Sequence, residues 1–269
     1  MPDFHSLWHV ALLGLAPIAV LALLTWVASV VRHDASLVDR LWSVMIAAPM
    51  AAYALQPAAG GPRLAAVLVL VGAWAVRLAA YITWRNWGHG EDRRYQQIRQ
   101  RNEPNFAFKS LYLVFALQML LAWIVSAPTL AALAGDRPFG ALDALGIAAA
   151  LAGFLFEAVG DAQMAAFKGD PAHQGQVMDR GLWRYTRHPN YFGEALFWWG
   201  IWLLALGAGG LAAAWTVVSP LLMTVLLLKV SGVALLEKDI GERRPAYRDY
   251  IARTNAFIPG PPRHPKESS

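Results

Sequence analysis

Glu157 and Asp161 stand one helical turn apart inside an apolar stretch running from about 141 to 167, and Lys168 follows just past its end. Positions 157, 161, 164 and 168 share one face of a helix. Two carboxylates so placed repel each other unless they are hydrated, paired or bonded to a ligand. Acids at membrane depth point first to function, and the plainer reading is an interhelical salt bridge to Lys229 or Arg184. A second group is Gly181-Leu-Trp-Arg-Tyr-Thr-Arg-His-Pro-Asn-Tyr-Phe-Gly-Glu194. Pro189 suits a first helical turn, where its missing N–H has no intrahelical partner to lose. Arg184, Arg187 and His188 then gather at a helix N-terminus, whose N–H groups and positive dipole end favour a phosphate or carboxylate. Asn190, Glu194 and Trp198 run inward along one face. Basic groups at the mouth and hydrogen-bonding groups deeper suit a long anionic ligand, such as a dinucleotide or another nucleoside-containing cofactor. A basic helix cap explains the two arginines but not Asn190 and Glu194 below them.

A third group is less dense. Arg77 and Tyr81 lie four residues apart in another apolar stretch, with Trp74 and Arg85 on the same face, and Asp39 opens a further one as Asp39-Arg40-Leu41-Trp42. A Tyr hydroxyl held by a carboxylate, next to a cation, can donate to an oxygen that gains negative charge during a reaction. The plainer reading is a buried Arg77–Asp39 pair with Tyr81 only packing, or Asp39 as a helix cap. Tyr53 and Tyr95 are the next candidates for the donor. Other chemistries are excluded. The chain has no Cys, so disulfides, thiolate nucleophiles and Cys-ligated metals are absent. It has no Gly-x-Gly-x-x-Gly after a strand, no Walker loop and no Gly-x-Ser-x-Gly, and no metal is expected.

The elements that must position these groups are membrane helices. Of 269 residues, 57% are hydrophobic and only 15% charged, with mean hydropathy +0.38. Soluble domains carry roughly 25% charged residues, and a soluble domain this apolar could not cover its surface. Seven apolar stretches, at about 7–31, 37–55, 64–84, 110–134, 141–167, 191–213 and 215–237, are long enough or nearly so to cross a bilayer. The first is too long for a signal-peptide core and reads as a retained helix. The last two are joined by the Gly-rich turn Leu206–Gly210. Residues 1–258 read as one domain, and 259–269, with four prolines, as a disordered tail.

Seven spans divide the basic residues unequally. Nineteen of the 23 Lys and Arg fall on one side and only Arg63 and Arg137 on the other, with Arg77 and Lys229 inside spans. The positive-inside rule then places the N-terminus outside and the C-terminus in the cytoplasm. It also explains the net charge of +5 without nucleic acid. Interfacial anchoring is the plainer reading of the basic and aromatic residues in 85–109 and 238–258.

Several of these motifs resemble one family. Arg187-His-Pro-Asn-Tyr-Phe-Gly-Glu194, preceded by Gly181-Leu-Trp and followed by Trp198-Trp199-Gly200, resembles the C-terminal domain of steroid 5α-reductase-like membrane enzymes, in their bacterial branch. Arg85-Asn-Trp-Gly-x-Gly-Glu-Asp-x-Arg-Tyr95, Phe156-Glu-x-x-Gly-Asp-x-Gln163, and Tyr247-x-x-Tyr250 with Thr254-x-Ala-Phe-Ile-Pro259 are similar to that branch too. The resemblance spans roughly 36–259. It implies a seven-helix reductase of the bacterial inner membrane that binds NADPH on its cytoplasmic side. Glu157 and Asp161 match positions that hydrogen-bond the cofactor, and Lys168 one near its phosphates. Asn190 and Glu194 match the Asn-x-x-Gly-Glu motif, with Arg184, Tyr185, Arg187, His188 and Tyr191 around them. Glu237, Arg243, Arg244 and Tyr247 match a region that closes over the cofactor. Steroid reductases carry Gln-Glu-Leu-Pro early in the second span, whose Glu works with a Tyr of the third. Here Val38-Asp39-Arg40-Leu41-Trp42 stands instead, so Asp39, Tyr81 and Arg77 are the candidate catalytic set.

The implied reaction is NADPH-dependent reduction of an activated carbon–carbon double bond in a lipophilic substrate reached from membrane lipid, with a 3-oxo-Δ4 steroid as one candidate. Two rivals remain. Isoprenylcysteine carboxyl methyltransferases share an Arg-His-Pro-x-Tyr-x-Gly element and use S-adenosylmethionine, but the Glu157/Asp161/Lys168 face fits the reductases better. A transporter could use Glu157 and Asp161 as a proton or cation relay, though neither inverted repeats nor broken helices are visible in the sequence.

Overall fold

The computed structural model describes residues 4–55, 61–230 and 232–263, and these are helical with no strand among them. Its α-helices are α1 Phe4–Leu13, α2 Leu15–Arg32, α3 Leu37–Ala47, α4 Met50–Tyr53, α5 Gly61–Arg85, α6 Arg93–Asn102, α7 Phe106–Ser110, α8 Leu117–Val125, α9 Ala127–Ala134, α10 Ala141–Gly169, α11 Pro189–Gly209, α12 Val218–Val225, α13 Val233–Glu237, α14 Ile240–Arg243 and α15 Ala246–Arg253. Among the described residues five segments are long and apolar enough to cross a membrane: Leu7–Arg32, Gly61–Arg85, Phe106–Ala134, Ala141–Gly169 and Pro189–Arg243. Their outward faces are aliphatic. On α10, Leu145, Leu151, Leu155 and Val159 are exposed, while Gly146, Ala150, Gly153, Glu157, Gly160 and Asp161 are buried. A water-soluble helix has the opposite arrangement, and the chain is an integral membrane protein.

Two expected spans differ in detail. The stretch at 37–55 is divided at Ala48-Pro49 into α3 and the short α4, because Pro49 cannot donate within a continuing helix. The stretches at 191–213 and 215–237 belong to one apolar segment of 55 residues. The chain reverses within it, since Trp199 Nε1 donates to Thr224 Oγ1 at 3.4 Å. The reversal falls later than the Gly-rich signal suggests. α11 runs through Gly207 and ends at Gly209; Gly210, at φ +59°, opens a tight 3₁₀ segment over Gly210–Val217.

The chain forms two compact units, Met1–Ala144 with Ile201–Ser219 and Leu145–Gly200 with Pro220–Ser269. In the first, Trp74, Tyr53, Phe106 and Phe115 fill the core. Arg63 and Asp143 form a buried fork there, Nε–Oδ1 2.7 Å and Nη2–Oδ2 2.9 Å. Arg63 also donates to the Arg137 carbonyl at 2.9 Å, and Asp143 accepts from the Gly140 N–H at 2.8 Å, so the buried charges are paired and solvated by backbone.

In the second unit, α10 and α11 pack antiparallel through glycines repeated every seven residues: Gly146, Gly153 and Gly160 on one, Gly193 and Gly200 on the other. A Cβ on Gly200 would lie 2.5 Å from Ala150 N, one on Gly193 2.5 Å from Gly153 O, and one on Gly160 3.1 Å from Pro189 Cγ. Small residues let two membrane helices approach to backbone contact where the hydrophobic effect cannot drive them together. The seam therefore sets Glu157 and Asp161 against the first turns of α11.

Residues 259–263, expected within a structureless tail, are tied down. Gly260 N donates to Tyr185 O at 3.0 Å and Arg263 N to Arg253 O at 2.8 Å. Residues 264–269 lie outside the described residues.

Candidate functional site

The second unit holds most of the residues singled out from sequence. Glu157, Asp161 and Glu194 are 2%, 5% and 7% exposed, three acids buried in helices of membrane length. Asn190 Nδ2 donates to Asp161 Oδ1 at 3.1 Å. Its Oδ1 is buried with no hydrogen-bond partner among the described residues. An amide acceptor left in that condition is costly unless something donates to it. A ligand hydroxyl or carboxamide N–H would supply that donor, so the residues present fit a nucleotide with ribose and amide groups. Lys168, in the last turn of α10, and Arg184, in the 3₁₀ turn Gly181–Arg184 before α11, are exposed.

Arg187 and His188 do something other than line an open mouth. Both are buried. Arg187 forks onto Glu237, and His188 Nε2 lies 2.9 Å from Glu237 Oε1. Arg187 N donates to Asn255 O at 2.9 Å, and its Nη1 bonds the carbonyls of Ile251 and Thr254. Thr186 Oγ1 donates to Phe257 O at 2.8 Å, and Tyr250 OH bonds the Trp183 carbonyl. Residues 183–188 thus clamp the segment 237–260. Burial would lower the Arg187 guanidinium, but the hydrogen bonds and charge of Glu237 outweigh it and raise it. Tyr191 stacks on His188 with ring centroids 5.4 Å apart. Tyr185, Arg243 and Arg244 are exposed, and Tyr247, half-buried, packs edge-on against Tyr250 at 5.2 Å. Of the expected cofactor set, then, the structure brings Asp161 to Asn190 and Arg187 and His188 to Glu237. Gln163, Trp183 and Tyr250 were not singled out for a role, yet they help hold the 181–188 loop. Gln163 accepts from Leu182 N and Trp183 Nε1 donates to Gly160 O, each at 2.9 Å.

The first unit holds Asp39, Arg77 and Tyr81. Asp39 does hold a tyrosine next to a cation, but they are Tyr95 and Arg94: Tyr95 OH donates to Oδ1 at 2.6 Å and Arg94 Nη2 to Oδ2 at 2.8 Å. This replaces the expected pairing with Tyr81 and Arg77. The reason is local. Asp92 caps α6 by accepting from Arg94 N at 2.9 Å, which starts the helix so that Arg94 and Tyr95 both reach Asp39. Gln118 Nε2 donates to Tyr95 OH at 3.3 Å. Glu91 accepts from Ala35 N at 2.8 Å and from Arg99 at 2.7 Å. The run 85–95 is therefore a latch onto the start of α3. Burial pushes the Tyr95 phenol well up, and the Asp39 charge adds to this. Tyr81, half-buried, has Arg85 5.6 Å above its ring and Trp84 at 6.0 Å. Among the described residues no cluster of His, Asp and Glu is arranged to hold a metal ion.

The family described as protein of unknown function DUF1295 matches residues 25–254, and the chain belongs to it. That family includes steroid 5α-reductase-like membrane proteins. An uncharacterised protein of Schizosaccharomyces pombe is 27% identical over 285 residues, covering 96% of this chain and 82% of that protein. No solved structure matches.

Proposed function

We propose that the chain is an NADPH-dependent reductase of an activated carbon–carbon double bond in a lipophilic substrate. The supporting observation is the unpartnered Asn190 side-chain oxygen beside Asp161, on a buried acidic face of a helix of membrane length. Glu157, Asp161, Asn190 and Glu194 would bond the sugar and amide groups, and Lys168 and Arg184 the phosphates. Arg187, His188 and Glu237 hold the C-terminal segment that carries Arg243, Arg244 and Tyr247. When bound, NADPH supplies the hydride.

The protein must stabilise charge on the substrate carbonyl oxygen. Tyr95 spends its proton on Asp39. Tyr81, with Arg77 one turn away, is the proposed donor, and Asp39 acts as a latch. The chain is read as seven spans with the N-terminus outside and the C-terminus cytoplasmic, in the bacterial inner membrane. The 55-residue apolar segment would be about 80 Å long as one helix, far beyond a bilayer, and supplies two of the spans.

Purification in mild detergent tests the cofactor. NADP(H) retained by the protein supports the reductase, and S-adenosylmethionine or its demethylated product would replace it with the methyltransferase. For topology, a periplasmic reporter should be inactive after Ser269 and active at Gly60, and the opposite pattern would overturn the orientation.

A further inference from the structure

Between α3 and the C-terminal turns of α5 lies an open groove of about 450 Å³. Leu41, Ala79, Ala80 and Thr83 form its apolar walls, and Trp84 and Trp87, 64% and 73% exposed, stand at its rim. One charged side chain, Arg40, lines it. Arg40 is weakly engaged. Its Nη2 donates to Asn86 O at 3.3 Å and lies 3.9 Å from Asp34, while its Nε is buried with no hydrogen-bond partner among the described residues. The nearby carboxylates are occupied: Asp34 accepts from Ser36 N at 3.0 Å, and Asp39 is held by Arg94 and Tyr95. Arg85, at the end of α5, is exposed.

We infer that this groove is a binding site for one anionic phospholipid, its phosphate on Arg40 and an acyl chain along Leu41, Ala79 and Ala80. The chemistry is complementary at both ends. A guanidinium lining the groove attracts a phosphate by charge and charge-assisted hydrogen bonding. Exposed indoles next to basic residues mark headgroup depth. An apolar trough below them offers an acyl chain the surroundings it has in lipid. A zwitterionic lipid cancels its own phosphate charge, so the site should select for net negative headgroups.

The test places photoreactive benzoylphenylalanine at position 87 in nanodiscs holding equal parts of phosphatidylglycerol and phosphatidylcholine with matched chains. The phosphatidylglycerol adduct should exceed the phosphatidylcholine adduct by about fivefold, the effect of one basic residue at the surface. Arg40→Gln should bring the ratio to one in a protein that stays monodisperse, and Arg40→Lys should keep most of the preference. Ala80→Phe, which fills the trough, should reduce both adducts. Excess inorganic phosphate should leave the ratio unchanged. Equal adducts in the unaltered groove, a ratio indifferent to Arg40→Gln, a ratio abolished by free phosphate, or a cross-link to a second copy of the chain would each overturn the assignment.

Discussion

The Arg187 guanidinium meets the Glu237 carboxylate in a fork, Nε to Oε1 and Nη2 to Oε2 both at 2.7 Å, with His188 on the same carboxylate. Removing one partner of a largely buried pair leaves the other charge without compensation, at a cost of about 3 kcal/mol. Glu237→Ala and Arg187→Ala should each lower the thermal midpoint in detergent and open 246–260 to proteases. Glu237→Gln, which keeps an acceptor, should do less. Unchanged protease sensitivity in all three would mean that the fork does not hold that segment.

The glycine seam makes a sharper packing prediction. A Cβ at Gly193 or Gly200 meets the backbone of α10, which cannot move aside as a side chain can. Gly193→Ala and Gly200→Ala should each destabilise by about 1–3 kcal/mol. Gly72, on α5, has nothing within 4 Å of an added Cβ. Gly72→Ala should therefore be neutral or gain up to about 1 kcal/mol of helix propensity. Equal effects at positions 72 and 193, measured as thermal midpoints, would remove the seam as the organising contact.

Nucleotide binding should be graded. Asn190→Ala and Asp161→Ala should weaken NADPH binding by about 1–3 kcal/mol, the usual consequence of removing a buried hydrogen-bonding partner. Glu194→Gln should be milder than Glu194→Ala. Lys168→Ala should remove a contribution that weakens with salt. Titration of purified protein with NADPH at two ionic strengths reads all of these, and affinities unchanged across the set would eliminate the site.

Tyr81 and Tyr95 separate by kind of effect. Tyr81→Phe should reduce turnover by roughly 10²-fold while NADPH still binds. Tyr95→Phe deprives half-buried Asp39 of a donor and should lower stability by about 1 kcal/mol with little effect on turnover. Reversal of the two phenotypes would transfer the donor role to Tyr95.

Acid should loosen the latch on α3. Burial alone would raise the Glu91 carboxyl, but hydrogen bonds from Arg99 and Ala35 N–H outweigh it and hold it below the ordinary 4.5. A carboxyl depressed by folding stabilises the fold above its unfolded value, and that contribution is lost as pH falls from about 4.5 through the folded value. Wild type should therefore exceed Glu91→Gln in thermal midpoint at neutral pH, with the gap closing in acid. A gap that persisted in acid would show that ionisation of Glu91 is not what matters.

Much of this was legible in the sequence because it depends on neighbours along the chain. Apolar runs of bilayer length, the charge asymmetry, Pro189 at a helix start and the four-residue spacing of Glu157 and Asp161 all follow from local composition and helical period. Pro49 as a break in the 37–55 stretch was legible too, though hydropathy alone passes over it. The seven-residue spacing of Gly146, Gly153 and Gly160 and of Gly193 and Gly200 took on meaning only with the backbone contacts of the α10–α11 seam. Partnership was another matter. Arg187 and Glu237 are 50 residues apart and Asp39 and Tyr95 are 56, and many Arg and Tyr residues were equally eligible. A side chain bonds whichever group the packing brings within about 3 Å. That depends on helix ends, caps and backbone approach, so only the tertiary structure made Tyr95 rather than Tyr81 the partner of Asp39, and turned Arg187 inward to Glu237.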